Sequence, residues 1–175
     1  MPFKIIQKLQ FRRLHNKKHF THASIAWQDI KSFILFISPH TSEEATTLTH
    51  FIDKLKKHTT RIKIVEFLKS KKEPSLLPYM YERTRIDSSH TNLLGIPKSS
   101  AVDGFIDQHF DVSIDLTDKD NVAAQYLGCG IDITMRVGIH DGNWDCYELV
   151  IPNIYENIND ENLLSIIHYL QKIKP

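Results

Sequence analysis

The residues best suited to chemistry are an aspartate and an arginine near the ends of two apolar stretches. Asp115 lies near the end of the stretch FDVSIDL, residues 110–116, and Arg136 lies near the end of residues 131–137. A carboxylate at the carboxyl end of a central strand faces the crevice in which α/β proteins bind ligands, and its burial without a partner is costly. Arg136 is the predicted counter-charge. Two interpretations stay open: the pair binds an anionic or hydroxyl-bearing ligand, or it is a structural ion pair at the edge of the sheet.

A second group of candidates follows an apolar run that ends at Ser38. Ser38, His40, Thr41 and Ser42 would suit an anion at the start of the next helix, although a capping turn made by Thr41 or Ser42 is the favoured interpretation. Lys98, in a turn, is a further candidate cation. Residues 38–42 contain no glycine, so they form neither a dinucleotide fingerprint nor a P-loop. The predicted ligand-binding residues are Asp115, Arg136, Lys98, Ser38, Thr41 and Ser42.

The sequence shows no nucleophile–base pair, and we assign no catalytic residue. Cys129 and Cys146 form no CxxC motif, and no two histidines lie at metal-ligand spacing beside a carboxylate. We predict neither a metal, nor a cofactor, nor a disulfide framework. Cys129, between two glycines, is interpreted as a packed thiol in a reducing compartment.

The pattern of apolar residues predicts the elements that position these groups. Residues 32–38 are a continuous apolar run, typical of a strand covered on both faces, and a helix to about residue 57 and a strand at 62–68 follow it as a βαβ unit. Further strands are predicted at 110–116, 131–137 and 147–151, with helices at 121–127 and 161–173. The fold class predicted is a single three-layer, Rossmann-like α/β domain with a mainly parallel sheet of about five strands and helices on both faces.

The first 22 residues are predicted to be a basic amphipathic helix, followed by one α/β domain over residues 23–175. Residues 3–20 carry six Lys or Arg and no acidic residue. This helix either packs its apolar stripe on the domain or contacts an anionic membrane or nucleic acid weakly. The whole chain has a formal net charge of +1, which gives no strong nucleic-acid signal. Without a secretory signal or an apolar run of about 20 residues, the expected location is the cytoplasm.

Two resemblances add to these predictions. Asn92-x-x-Gly95-x-Pro97-Lys98, the stretch FDVSIDLT, Arg136-Val137-Gly138 and residues 147–151 together resemble a family of small uncharacterised bacterial proteins, a domain of unknown function. More loosely, residues 111–116 with Arg136-Val137-Gly138 are similar to the acceptor-side domain of heptosyltransferase-type glycosyltransferases. The second resemblance implies a Rossmann-like fold and a sugar-nucleotide reaction, for which a second domain would be needed.

The favoured function is a non-catalytic module that binds a small anionic ligand or a protein partner, in a cleft at the strand ends near Asp115. One alternative is a small transferase or hydrolase that uses Asp115, with Arg136 and Lys98 binding an anionic or sugar-nucleotide substrate. Another is peripheral membrane or nucleic-acid binding through the basic amino-terminal helix.

Overall fold

The computed structural model describes residues 23–59, 61–140, 147–152 and 158–174. Its elements, in chain order, are a 3₁₀ turn at Trp27–Asp29, β1 Ser32–Ile37, α1 Ser42–His58, β2 Arg61–Phe67, β3 Arg83–Ile86, a 3₁₀ turn at Ser88–His90, α2 Ser99–Val102, β4 His109–Leu116, α3 Val122–Gly130, β5 Asp132–Gly138, β6 Leu149–Val150 and α4 Asp160–Lys172. The predicted helix over residues 1–22 lies outside the described residues, so the division at residue 22 stays a prediction.

In the described part of the chain, the strands form one six-stranded sheet in the order β3-β2-β1-β4-β5-β6. All five neighbouring pairs are parallel. The chain therefore moves outward from β1 through β2 to β3, and then returns to the other side of β1 with β4. The direction of winding reverses between β1 and β4, and open α/β sheets bind ligands at such a point, outside the carboxyl ends of the strands.

Helices cover both faces of this sheet. On one face, α1 and α4 bury Leu48, Phe51, Leu163 and Ile166 against side chains of β1, β4 and β5. On the other face, α2 and α3 contribute Val102 and Leu127 to a second buried cluster. All six residues of β1 are buried, as the continuous apolar run predicted. The α/β class with a parallel sheet and helices is thus confirmed.

Two details differ from the predicted elements. The described residues form six strands rather than about five, because the short segment Arg83–Ile86 pairs with β2 at the sheet edge. Its alternating charged residues gave no strand signal in isolation, and pairing with a neighbour decides such short segments. The α3 helix also extends past the predicted end at residue 127 and includes Gly128 and Gly130, both of which are buried.

The interpretation of Cys129 as a free packed thiol is wrong. Cys129 is buried, as expected, but it is disulfide-bonded. Spacing along a chain does not show which sulfur atoms meet in space, and the other cysteine of the sequence lies outside the described residues. Because Cys129 is not a free thiol, it does not indicate a reducing compartment. Among the described helices, none combines the length and the apolar character needed to cross a bilayer.

Candidate functional site

The loops that follow β1 and β4 meet at the point where the winding of the sheet reverses. There, Nε2 of His40 lies 2.9 Å from Oδ2 of Asp118, at hydrogen-bond distance. The two residues are 78 positions apart in the sequence, and they come together because β1 and β4 are adjacent and parallel. A carboxylate only accepts hydrogen bonds, so Nε2 of His40 is the donor in this contact.

Helix capping holds both loops in place. Oγ1 of Thr41 accepts a hydrogen bond from the backbone N–H of Glu44 at 3.1 Å, and the N–H of His40 donates to the Glu44 carboxylate at 2.7 Å. After β4, the side chain of Asn121 accepts from Ala124 N–H at the start of α3. These bonds satisfy backbone donors that a helix leaves free at its first turn. The His40–Asp118 pair is therefore attached to two capped helices.

A larger cleft opens on one side of the His40–Asp118 pair. Its volume is about 390 Å³, which is within the range of small-molecule sites. We call it the first cleft. Its apolar wall comes from the end of β2, from β3 and from the start of α3, and includes Phe67, Leu68, Ile86, Val122 and Ala123. Its polar lining includes Ser38, His40, Asp87, Ser88, Asp118, Asp120 and Asn121. The cleft thus offers both apolar and polar groups to a ligand.

A second cleft of about 210 Å³ lies on the other side of the same pair, and Ser38, His40 and Asp118 line both clefts. Glu44, Thr117 and His140 contribute polar groups to it. Nε2 of His140 lies 3.0 Å from the carbonyl oxygen of Thr117, so that nitrogen carries the proton. Nδ1 of His140 is buried, and the described residues provide it with no hydrogen-bond partner.

The lining of the first cleft carries more negative than positive charge. Three carboxylates and one lysine line it, in addition to His40. The hydroxyl of Ser89 donates to Asp87 at 2.6 Å, and this bond is the main cause that lowers the pKa of Asp87, against the opposing effect of burial. The carboxylate of Asp87 is consequently ionised at neutral pH. A ligand in this cleft meets hydrogen-bond acceptors more often than donors.

Asp115 lies in the core and not in either cleft. Its side chain is 1% exposed, and Oδ1 accepts from the backbone N–H and the hydroxyl of Thr117 at 2.9 and 2.7 Å. Oδ2 accepts a hydrogen bond from the hydroxyl of Tyr147. Burial, followed by the charge of Asp115, raises the pKa of Tyr147 well above its usual value, so the hydroxyl stays a donor. The Asp115 carboxylate is satisfied by protein groups.

Arg136 is also buried, but its ion-pair partner is Glu148. Its Nη1 lies 3.2 Å from Oε1 of Glu148, and its Nε donates to the carbonyl of Gly128 at 2.8 Å. Burial lowers the pKa of Arg136, and Glu148 opposes that effect. In the pairing of β4 with β5, Arg136 lies opposite Ser113 and Asp115 lies opposite Gly138. The predicted Asp115–Arg136 pair is therefore wrong, because Asp115 bonds Thr117 and Tyr147 while Arg136 bonds Glu148.

The other predicted site residues are distributed around the same edge of the sheet. Ser38 lines both clefts, and its hydroxyl donates to the carbonyl of Phe67 at 3.3 Å. Thr41 is the N-cap of α1, whose first residue is Ser42. Nζ of Lys98 donates to the carbonyl of Ser89 at 2.8 Å. A ligand-binding role of these residues stays a prediction.

Comparison with protein families matches residues 4–173, almost the whole chain, to the Family of unknown function (DUF6913). The chain belongs to this family. The predicted membership in a domain family of unknown function is confirmed by this match. Comparisons with curated proteins and with solved structures gave no match to either. The similarity to heptosyltransferase-type enzymes stays a prediction for this DUF6913 chain, as does a bacterial origin.

Sequence reasoning missed the pairing that defines the site of this family member. His40 falls among the candidate residues 38–42, and Asp118 lies between the predicted strand at 110–116 and the predicted helix at 121–127, but their partnership depends on the strand order. A signal was present in principle: polar loops that follow two buried parallel strands lie at the same edge of the sheet, and they are close together whenever those strands are neighbours. Among the described residues, no group of three or more His, Cys, Asp or Glu side chains is arranged to hold a metal ion.

Proposed function

We propose that this protein is a non-catalytic, ligand-binding domain of Rossmann-like topology, with its ligand between the carboxyl ends of β1 and β4. The observation that carries the proposal is the His40–Asp118 pair, which stands at the reversal of strand winding with an open cleft on either side. The strand order supports a Rossmann-like topology, in which this position is the usual ligand crevice. The ligand then contacts Asp118 rather than Asp115.

The charge of the first cleft favours a neutral, hydroxyl-rich or cationic ligand over the small anionic one that the sequence suggested. Asp87, Asp118 and Asp120 repel an anion, and Lys69 is the one lysine in the lining. The apolar wall suits a ring or a short aliphatic part of the ligand, while the carboxylates accept hydrogen bonds from hydroxyl or amino groups. A nucleoside, a monosaccharide or a small amine fits this description.

The test is a two-dimensional NMR titration of the ¹⁵N-labelled full chain with adenosine, D-glucose and spermidine as separate probes. Binding of at least one probe should shift amide resonances of residues 38–40 and 117–122, which surround the pair. Asp118→Asn and His40→Asn should each weaken that binding about tenfold or more, because each removes one partner of the pair, and tenfold corresponds to ~1.4 kcal/mol.

A matched control is present at the opposite edge of the sheet. Nδ1 of His109 lies 3.1 Å from Oδ2 of Asp132, where β4 and β5 begin, and this pair is also exposed. His109→Asn and Asp132→Asn should leave the affinity unchanged. The proposal is refuted if none of the three probes shifts the named amides, or if the two sets of variants weaken binding equally.

A small hydrolase or transferase is the second candidate, and one observation favours it. Nε2 of His40 is held as a donor to Asp118, so in a neutral imidazole Nδ1 would have the lone pair that a general base uses. The residues first expected to act, Asp115 and Arg136, have their own partners in the core, and Lys98 contacts Ser89. The test is turnover of an ester or glycoside substrate. Turnover that disappears in His40→Asn but persists in His109→Asn would favour a hydrolase or transferase over a binding domain.

A further inference from the structure

The second cleft, beside the His40–Asp118 pair, contains a buried carboxylate that helix capping uses only in part. Glu44 lies in the first turn of α1, lines this cleft and is 5% exposed. Its Oε2 accepts the backbone N–H of His40 at 2.7 Å, while the described residues donate no hydrogen bond to its Oε1. A sheltered carboxylate is costly unless donors or a positive charge compensate it. One oxygen of Glu44 is thus available to a ligand.

The imidazole of His140 offers a second acceptor in the same cleft. Its Nε2 donates to the carbonyl oxygen of Thr117 at 3.0 Å, so Nδ1 is the acceptor of the neutral ring. That Nδ1 atom is buried, and no described residue donates to it. The ring also packs edge-on against Tyr147, with 6.0 Å between the ring centroids. These two contacts fix the ring, and a ligand in the cleft can supply the missing donor.

Ser38 supplies a third acceptor. Its hydroxyl donates to the carbonyl of Phe67 at 3.3 Å, which leaves the lone pairs of Oγ as acceptors. The cleft volume of about 210 Å³ is below the roughly 300–1,000 Å³ of sites for drug-sized ligands. The apolar part of its lining consists of Leu116, Ile139 and Ile158. The cleft thus suits a polar head group with a short aliphatic part.

The charges around the second cleft favour a cation. Glu44 and Asp118 are its carboxylates, and Lys119 is the one lysine among the described lining residues. Asp118 and Lys119 are both exposed, so water and salt weaken their fields, whereas the charge of Glu44 is sheltered. Glu43, also exposed, lies in the first turn of α1 and offsets the positive end of that helix. The Glu44 carboxylate therefore dominates the potential inside the cleft.

We infer that the second cleft binds a primary ammonium group on a short aliphatic chain, with the Glu44 carboxylate as its counter-ion. An ammonium group carries three N–H donors and no acceptor, and the cleft offers acceptors on Glu44, His140 and Ser38. A neutral hydroxyl brings one donor and no charge, and Glu44 repels an anion. The inference rests on the proposed function, since it takes the crevice between β1 and β4 as the ligand site, and it adds the chemical class of the group bound in the second cleft.

The experiment is a two-dimensional NMR titration of the ¹⁵N-labelled full chain with ethylammonium chloride. Tetramethylammonium chloride and sodium chloride at equal concentrations are the reference titrations. The first has the same charge without an N–H group, and the second corrects for ionic strength. Ethylammonium should shift the amide resonances of Glu44, Thr117, Ile139 and His140 in a saturable way, and the two reference salts should not.

Glu44→Gln is the main test variant, because it removes the charge and keeps an oxygen that accepts the N–H of His40. It should weaken ethylammonium binding about tenfold or more. The matched control is Glu43→Gln, which removes an exposed charge from the same helical turn and should change the affinity by less than about twofold. His140→Phe keeps an aromatic ring, removes Nδ1 and should weaken binding about threefold or more, so it tests the site even if Glu44→Gln unfolds. Circular dichroism shows which variants are folded.

Equal affinity of the wild type and of the folded variants at Glu44 and His140 overturns the inference, as do equal shifts with tetramethylammonium or sodium. Shifts confined to residues 86–88 and 120–122 also overturn it, because they place the ammonium group in the first cleft.

The inference and the proposed function fail in different ways. If adenosine or D-glucose binds beside the His40–Asp118 pair while ethylammonium does not bind, the proposed function stands and this inference fails. If ethylammonium binding depends on Glu44, but Asp118→Asn and His40→Asn change the affinity of no probe, the second-cleft site stands and the proposed role of the pair fails.

Discussion

Tyr147→Phe tests directly whether Asp115 belongs to the scaffold of the sheet. The substitution keeps the ring and removes only the hydroxyl, which donates to Oδ2 of Asp115. The carboxylate keeps its two bonds from Thr117 on Oδ1. Because Asp115 is 1% exposed, water does not readily replace the lost donor. The free energy of unfolding should therefore fall.

The magnitude follows from the charge of the acceptor. A hydrogen bond to a charged group contributes roughly 1.5–3 kcal/mol, and in a domain of this size 1 kcal/mol moves the midpoint of thermal unfolding by about 2–4 °C. We expect Tyr147→Phe to lower the free energy of unfolding by ~1.5–3 kcal/mol and the midpoint by about 3–12 °C. Urea denaturation followed by circular dichroism, together with calorimetry, measures both quantities.

Two comparison variants make the result decisive. Tyr169 is 50% exposed on α4, and Tyr169→Phe should change the stability by no more than about 0.5 kcal/mol. Asp118→Asn should cost at most about 1 kcal/mol, because the side chain of Asp118 is 63% exposed and surface pairs are weak. If Tyr147→Phe is as mild as Tyr169→Phe, the Tyr147 bond does not hold Asp115 and the scaffold interpretation fails.

Three further changes probe the packing around these groups. Glu66→Gln removes the charge that pairs with Arg83 and should lower the free energy of unfolding, measured in urea, by roughly 3–5 kcal/mol. Arg85→Gln, on the exposed side of the same strand as Arg83, should change it little. Equal losses in the two variants would contradict the role of the ion pair. Gly138→Ala places a Cβ 3.1 Å from the ring of Tyr147 and should lower the free energy of unfolding by about 1–3 kcal/mol. Gly104→Ala should change it little, because nothing lies within 4 Å of the added Cβ. An unchanged stability of Gly138→Ala would show that the ring can move. Burial, aided by Asp53, raises the pKa of Tyr81 to about 12, so its stabilising contribution is complete below about pH 10 and is lost as the pH rises from about 10 to about 12. Over that interval the free energy of unfolding of the wild type should fall with pH more steeply than that of Tyr81→Phe, by up to ~1.4 kcal/mol per pH unit. Parallel pH profiles of the two proteins would exclude the raised pKa of Tyr81.

Local patterns predicted the elements that are either fully buried or well capped. The run SFILFI became β1 with every residue buried, and Thr41 caps α1 as its residue type suggested. Apolar periodicity likewise located α4, whose observed range of Asp160–Lys172 differs from the prediction by one residue at each end. Burial on both faces and N-cap hydrogen bonds act within one segment, so the sequence of that segment is enough to reveal them.

Short or polar elements were predicted less well. The strand β3 has four residues and gains its place from parallel pairing with β2. The disulfide bond of Cys129 was missed for a similar reason, since sulfur atoms pair by distance in space and not by spacing in the sequence.

At the candidate site, some features follow from the sequence of a single segment, and others arise only in the assembled sheet. The sequence of residues 38–42 and 115–121 alone indicated two polar loops after buried strands, each leading into a helix. The order β3-β2-β1-β4-β5-β6 then decided that these loops meet, which pairs His40 with Asp118. The position of residues 147 and 148 beside β4 and β5, just before β6 joins the sheet, decided that Asp115 bonds Tyr147 while Arg136 bonds Glu148. Partners so far apart in sequence are chosen by strand order and register, which arise only when the whole sheet has formed.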